Sequence, residues 1–153
     1  MISIYRILTV PTDPGIALND ITPQICGMVA NSGMACGLLT VTSRHTTTAI
    51  TVIEHEERLL EDIRRFFTRL APPGEAYLHN NIELRDCPPD EPENAHSHLL
   101  AMLVGSSEVI PIVDGKLDLG RWQSIMLVEL DGPRERTVGL QLFGGSEQQW
   151  KRP

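Results

Sequence analysis

The order of predicted elements along the chain indicates an α+β fold with a mainly antiparallel sheet. Predicted helices and strands do not alternate regularly, and the last three strands are joined by short turns, as antiparallel strands allow. The 153 residues are 41% hydrophobic and 22% charged, which is typical of one globular domain. We therefore predict a single domain over residues 1–153, with a flexible tail at residues 145–153.

The first half of the chain predicts three strands and one helix. Residues 2–10 alternate between apolar and polar side chains, as a half-buried strand does. A helix begins at Thr22-Pro23, where a hydroxyl side chain precedes a proline. It ends near Gly33, which tolerates the left-handed conformation. Residues 37–43 and 48–53 are rich in Thr, Val and Ile and are typical of strands.

The second half predicts two further helices separated by a long loop, followed by three strands. Apolar residues recur at the helical period over residues 56–70, and a second helix over residues 94–104 ends at Gly105. Residues 72–93 are polar and contain several prolines, so we expect a loop with at most one short strand. The remaining strands are predicted at residues 108–113, 123–130 and 137–143, with a hairpin turn at Asp114-Gly115.

Composition argues against several functional classes. The formal net charge is −7 and no basic cluster occurs, so we do not expect nucleic-acid binding. The three cysteines form no C-x-x-C pair, which argues against a disulfide framework and a thiolate zinc site. No apolar run is long enough to span a bilayer, and the first residues do not form a signal peptide. We therefore expect a cytoplasmic protein with no membrane partner.

Both faces of the second of the three late strands are apolar. Met126, Val128 and Leu130 alternate along one face, while Ile125 and Leu127 lie on the other. A strand that is buried on both faces needs a second layer or a partner subunit. In so small a protein, we expect a partner subunit to contribute part of this burial.

Strand phase predicts that His45 and Glu54 point toward the core from neighbouring strands. Because strand side chains alternate with period two, His45 continues the inward face of Val41 and Glu54 continues that of Val52. A buried carboxylate is costly unless it is paired or bound to something, which makes Glu54 a candidate site residue. The alternative is that Glu54 lies past the end of the strand and is solvated or caps the following helix.

Three more histidines are candidates for chemistry. His96 and His98 are two residues apart on a predicted helix and cannot share a face, and the helix pattern alone leaves both open. His79 lies in the long loop, where the alternative is a surface imidazole. Three imidazoles that include His45, with one open position, would form a catalytic zinc-type site, although isolated histidines more often have ordinary roles.

Basic residues follow several late glycines and would suit an anion such as phosphate. They are Lys116, Arg121, Arg134 and Arg136. The alternative is that they are solvated charges in turns. The sequence contains neither a Walker A loop nor a G-x-G-x-x-G loop, and no G-x-S-x-G elbow.

Together these motifs resemble the YjbQ family, also called the secondary thiamine-phosphate synthase family. Their order and spacing match over residues 4–144. The matching stretches are His45-Thr-Thr-Thr-Ala, Ile50-Thr-Val-Ile-Glu-His-Glu, Leu59-Leu-Glu-Asp-Ile, Tyr77-Leu-His-Asn, Arg85-Asp-Cys-Pro-Pro-Asp-Glu, Asn94-Ala-His-Ser-His, Ile110-Pro-Ile-Val-Asp-Gly-Lys-Leu, Leu119-Gly-Arg-Trp-Gln-Ser-Ile and Glu129-Leu-Asp-Gly-Pro-Arg-Glu-Arg.

The resemblance implies a compact α+β fold with a mainly antiparallel β-sandwich core, two to three helices and assembly as a homotrimer. It favours His98 over His96 as a site residue. This chain departs from the family at Ile53, where the family usually has Asn. The site residues that the resemblance carries over are His45, Glu54, His79, His98, Trp122 and Gln123.

The resemblance further implies weak formation of thiamine phosphate from a pyrimidine pyrophosphate and a thiazole phosphate. We accordingly predict an enzyme that acts on a small anionic or phosphorylated molecule. The predicted catalytic residues are His45, Glu54 and His98. The predicted substrate-binding residues are Trp122, Gln123, Arg134 and Arg136.

The predicted cofactor is a divalent metal, zinc, held by His45, His79 and His98, or magnesium if the substrate is a pyrophosphate. Two alternatives stay open. One is a non-catalytic homotrimer that binds a metal or a metabolite, and the other is a metal-assisted hydrolase, which the same residues would serve.

Overall fold

The computed structural model describes residues 1–146, and over this range the chain forms an α+β fold. This confirms the predicted fold class. The strands are β1 (Ile2–Pro11), β2 (Gly15–Asp20), β3 (Cys36–Ser43), β4 (Thr48–Ile53), β5 (Ser107–Val113), β6 (Lys116–Leu117), β7 (Ser124–Gly132) and β8 (Glu135–Gly145). The α-helices are α1 (Thr22–Ala30), α2 (Glu57–Leu70) and α3 (Ala95–Val104).

The strands form two antiparallel sheets that pack face to face. The larger sheet has the order β1-β8-β3-β5-β6, and the smaller one has the order β2-β7-β4. Leu39 of β3 and Leu142 of β8 lie in one buried cluster with Ile50 of β4 and Leu127 of β7. The β-sandwich core that the resemblance implied is therefore present.

Strand β7 is the centre of the smaller sheet and is buried on both faces. Its Ile125 and Leu127 face the larger sheet, while Met126 lies in a second cluster with Leu60 of α2 and Leu100 of α3. The expectation that a partner subunit contributes to this burial was wrong, because two helices of the same chain form the second layer. No described helix is both long and apolar enough to cross a membrane.

The ends of the helices differ in detail from the predicted ones. Ile21 occupies the N-cap of α1, and the Thr22 hydroxyl accepts a hydrogen bond from the Ile125 N–H over 2.8 Å instead of capping the helix. The N-cap of α2 is Glu56, whose carboxylate accepts from the N–H groups of Arg58 and Leu59. Sequence patterns located α2 and α3, but the caps depend on tertiary contacts.

Three parts of the chain contain details that the sequence did not predict. The long loop contains no described strand and instead forms two short 3₁₀ helices at Leu78–Asn80 and Ile82–Leu84. Strand β2 was not predicted, because it is short and follows Pro11 and Pro14 closely. Strand β8 continues through Gly145, so the predicted tail does not begin there. The rest of that tail, residues 147–153, lies outside the described residues.

Candidate functional site

A cleft of about 690 Å³ lies between the β3–β4 turn and helix α3. The turn contributes hydroxyl, basic and imidazole side chains, and the helix contributes His98 beside small or flexible apolar groups. The lining residues are Ser43, Arg44, His45, Thr46, Thr48, His98, Ala101, Met102, Gly105 and Ser106. None of these described lining residues is acidic, although the chain as a whole carries a net charge of −7.

The β3–β4 turn is held by hydrogen bonds at both of its ends. The N–H of Ser43 donates to the carbonyl of Ser106 over 2.8 Å, and the N–H of Arg44 donates to the carbonyl of Thr137 over 3.3 Å. The hydroxyl of Ser43 bonds to that of Thr48 and accepts from the N–H of His45 over 3.2 Å. The backbone that carries His45 is therefore fixed by groups on three other segments.

The ring of His45 has a defined protonation pattern. Its Nε2 accepts a hydrogen bond from the backbone N–H of Thr137 over 2.8 Å and lies 3.1 Å from the Thr137 hydroxyl. Because an amide N–H can only donate, Nε2 carries no hydrogen and the neutral ring is protonated at Nδ1. Burial lowers the pKa of His45, the cation of Arg136 lowers it further, Glu129 opposes this effect and Arg44 adds to it. His45 is thus neutral at pH 7.

His98 contributes a second imidazole to the same cleft and also touches His79. The ring centroids of His79 and His98 are 4.8 Å apart, and the rings meet edge to face at 68°. Burial lowers the pKa of His98, and the neighbouring His79 lowers it further. The His79 carbonyl accepts from Nη1 of Arg85 over 2.9 Å within the long loop, and the contact between the His79 and His98 rings places this loop beside α3. Within residues 1–146, the buried Nε2 of His79 has no hydrogen-bond partner.

The predicted metal centre at His45, His79 and His98 is corrected by the structure. Within the described part of the chain, no three His, Cys, Asp or Glu side chains form a group that would hold a metal ion. At His45, ligation through Nε2 would displace the Thr137 N–H. Ligation through Nδ1 would require the proton to move to Nε2, where it would face that same donor. The hydrogen bond to Thr137 therefore opposes both modes of ligation.

The structure places His98, and not His96, at the cleft. His98 shares a helix face with Ala101, Met102 and Gly105, as the helical period indicates. His96 does not line the cleft, and its buried Nδ1 has no hydrogen-bond partner within residues 1–146. Burial lowers the pKa of His96, and Asp131 opposes this effect.

Of the predicted site residues, only His45 and His98 are among the described residues that line the cleft. Glu54 lies past the end of β4 and is exposed, which matches the solvated alternative. Trp122 is 63% exposed beneath the guanidinium of Arg121, whose Cζ lies 4.8 Å from the ring centroid. The side-chain oxygen of Gln123 accepts from the N–H of Gly120 over 2.8 Å and so closes a local turn.

The two predicted anion-binding arginines have carboxylate partners within the chain. Arg134 pairs with Asp131 over 2.9 Å near the surface. Arg136 is 5% exposed and binds Glu129 over 2.6 Å. Neither lines the cleft, and the donors of Arg136 that bind Glu129 face the interior.

Sequence reasoning missed Arg44 and Glu129. Arg44 immediately precedes His45 and is the cation of the cleft, but a lone arginine in a turn carries no signal of its own. Glu129 did carry one, because it is the acidic residue within the otherwise apolar residues 125–130. A carboxylate at such a position has to be paired, and an arginine of the next strand was the available partner.

Comparisons with known proteins give a consistent result over nearly the whole chain. A family model described as UPF0047 protein YjbQ-like matches residues 6–145. A UPF0047 protein of Methanothermobacter thermautotrophicus is 41% identical over 137 residues, which are 90% of each chain. The UPF0047 protein YugU of Bacillus subtilis is 30% identical over 94% of this chain and 100% of its own length.

Solved structures agree with this result. A YbjQ-like protein of unknown function from Sulfolobus solfataricus superposes with a TM-score of 0.84 at 37% identity, over 94% of this chain and 98% of its own. A hypothetical protein from Aeropyrum pernix gives the same TM-score at 41% identity, over 93% and 99% of the two chains.

The thiamine-phosphate synthase activity implied by the resemblance is corrected by these comparisons. The matching family is one of unknown function, and the names of these relatives state no activity. The predicted transferase reaction therefore has no support, and the function has to be inferred from the site itself.

Proposed function

The chain belongs to the YjbQ-like UPF0047 family, and we propose that it binds a small anionic molecule in the cleft between the β3–β4 turn and α3. The observation that carries this proposal is the composition of the cleft: one arginine, two imidazoles and several hydroxyls, without an acidic residue among the described lining side chains. Such a set of donors without a competing carboxylate suits phosphate or carboxylate groups.

Each donor has a distinct part in this recognition. Arg44 is exposed and supplies a positive charge with several N–H donors. Neutral His45 supplies an Nδ1–H donor, because its Nε2 is used by Thr137. The hydroxyls of Thr46 and Ser106 are exposed and add donors that reorient to suit the bound group. A molecule bound in this way is neutralised by Arg44 and oriented by neutral donors.

His98 would exchange a proton with the bound molecule. It faces the same cleft and its pKa is lowered, and within residues 1–146 its ring has no backbone hydrogen bond of the kind that holds His45. A neutral imidazole accepts a proton at one ring nitrogen and donates a hydrogen from the other. An enzymatic role, which the sequence analysis favoured, would depend on this residue.

The binding proposal is tested by calorimetric titration of the protein with inorganic phosphate and with pyrophosphate. Replacing Arg44 by Gln should weaken binding by about 10- to 100-fold, since hydrogen bonds to charged groups contribute about 1.5–3 kcal/mol. Arg134→Gln is the matched control and should bind like the wild type, because Arg134 lies outside the cleft and pairs with Asp131. No binding of either anion at millimolar concentration, or equal weakening in both variants, would contradict the proposal.

The role of His98 is tested by repeating the titration in two buffers of different ionisation enthalpy. If anion binding makes His98 take up a proton from solution, which it can then share with the bound anion, the apparent heat of binding should depend on the buffer in the wild type and not in His98→Gln. A buffer dependence that persists in His98→Gln would assign the proton to another group.

A further inference from the structure

Glu129 is a fully buried carboxylate whose two oxygens are completely engaged. Oε2 accepts from Nε of Arg136 over 2.6 Å and from the Thr12 hydroxyl over 2.8 Å. Oε1 accepts from Nη2 of Arg136 over 2.7 Å and from the N–H groups of Leu130 and Asp131 over 2.9 and 2.8 Å. Burial alone raises the pKa of Glu129, but these hydrogen bonds outweigh it and hold the pKa below its usual value. Glu129 and Arg136 therefore form a charged pair.

The pair connects the two sheets beside the cleft. Glu129 shares its face of β7 with Leu127, and Arg136 shares its face of β8 with Val138, so the two side chains meet between the sheets. Arg136 Nη2 also donates to the hydroxyl of Thr47 over 3.0 Å. The same guanidinium therefore binds the smaller sheet and the β3–β4 turn.

The Glu129–Arg136 pair is connected to the ring of His45 through two residues, Thr47 and Thr137. Along the turn, Thr47 is held by Arg136 and lies two residues after His45. Along β8, Thr137 follows Arg136 and donates its N–H to Nε2 of His45. The backbone segment that carries His45 and the group that orients its ring are both anchored by one ion pair.

We propose that Glu129 and Arg136 are positioning residues that hold His45 as an Nδ1–H donor toward the cleft. The role of this Nδ1–H group in anion binding rests on the proposed function. The hydrogen bonds that orient the His45 ring do not depend on it. A buried salt bridge costs desolvation and is often replaceable by apolar residues. We therefore assign the Glu129–Arg136 pair the role of fixing the β3–β4 turn and the orientation of the His45 ring.

The proposal predicts opposite electrostatic effects of the two residues on His45. Arg136 lowers the pKa of His45 and Glu129 raises it, while Arg44 also lowers it. His98 faces the same cleft, and burial lowers its pKa as well. Removing one member of the pair leaves the other charge uncompensated near the ring. Such shifts follow the sign of each charge and report that both side chains lie close to the ring, whereas Arg136→Lys tests position separately from charge.

The experiment is an NMR pH titration of the ¹⁵N-labelled full-length protein that follows the ring nitrogens of His45. Relative to wild type, Glu129→Gln should lower the pKa of His45 by roughly half a pH unit or more, and Arg136→Gln should raise it by a similar amount. Arg134→Gln, which breaks an exposed ion pair on the same hairpin, should leave the His45 titration unchanged. Shifts of the same sign, or no shift in folded variants, would overturn the proposal.

Arg136→Lys keeps the charge and loses the planar two-pronged contact, so it separates position from charge and is available if the Gln variants do not fold. The pKa of His45 should stay near the wild-type value, while hydrogen exchange at the Thr137 amide should become at least about tenfold faster. Unchanged exchange at Thr137 would overturn the proposal.

These readouts do not depend on phosphate binding. If wild-type protein fails to bind phosphate or pyrophosphate while the His45 shifts occur as expected, the proposed function fails and the positioning role stands. If both anions bind but the two Gln variants leave the His45 pKa unchanged, the positioning role fails and the proposed function stands.

Discussion

The backbone N–H of Thr137 donates a hydrogen bond to Nε2 of His45 over 2.8 Å, at the point where β3 has ended and β8 continues. The imidazole thus takes the place that the next backbone carbonyl of β3 would occupy. A residue on a turn is thereby oriented by a residue 92 positions away in sequence. The protonation pattern of His45 follows from this contact.

We predict that neutral His45 exists as the Nδ1–H tautomer. The reason is that Nε2 must accept from the Thr137 amide and cannot carry a hydrogen. ¹⁵N chemical shifts of the labelled imidazole at pH 7.5 measure the tautomer directly. The spectrum of His45→Gln assigns the resonance, and a proton located on Nε2 would contradict the prediction.

We predict that the protein loses stability as the pH falls below about 6.5. Burial lowers the pKa values of His45, His96 and His98 in the folded protein below the usual histidine value of 6.5. Below that pH the unfolded chain binds more protons than the folded one, so the free energy of unfolding decreases with falling pH and is constant above about pH 7. Glu129 has a lowered pKa as well, but its contribution is lost only below pH 4.5.

Urea denaturation between pH 5 and pH 8 measures this dependence. His45→Gln and His98→Gln should each have a shallower slope than wild type in the range from pH 5 to pH 6.5. His55→Gln is the control, since His55 lies at the surface beside Asp20. A free energy of unfolding that rises on acidification in this range would contradict the assignment.

Local patterns predicted most of the fold, and long-range contacts determine what they missed. Alternation located β1, the helical period located α2, and the same period placed His98 beside Ala101 and Met102. The covering of β7 depends on where α2 and α3 fold back, which its own apolar residues do not specify. The orientation of the His45 ring likewise depends on its hydrogen bond to Thr137, which lies 92 positions away in the sequence.

We predict that both faces of β7 contribute equally to stability within one chain. Leu127→Ala removes packing between the sheets, and Met126→Ala removes packing against α2 and α3. Each should lower the free energy of unfolding by about 2–5 kcal/mol. Leu103→Ala, at a 61% exposed position on α3, should cost less than about 1 kcal/mol. A small effect of Met126→Ala alone would contradict the helical second layer.

The homotrimer implied by the resemblance stays a prediction. We now propose that its subunit interface lies on the larger sheet and not on β7. Strand β7 is already covered, whereas the outer face of the larger sheet exposes neighbouring apolar side chains. Leu38 of β3 and Phe143 of β8 are direct cross-strand partners and are 49% and 52% exposed. Tyr5, Ile7 and Val109 are exposed to a similar extent. A contiguous apolar surface of this kind is typical of a subunit interface.

We therefore predict that the wild-type protein is a trimer at micromolar concentration and that Phe143→Lys converts it to monomers, because a lysine ammonium buried in an apolar interface loses its hydration. Light scattering coupled to size-exclusion chromatography gives the mass of each species. Phe66→Lys is the matched control, since Phe66 of α2 is also 52% exposed but lies on a helix outside the larger sheet. Monomeric wild-type protein would refute the assembly. If Phe143→Lys stayed trimeric and Phe66→Lys became monomeric, the interface would lie at α2 and not on the larger sheet.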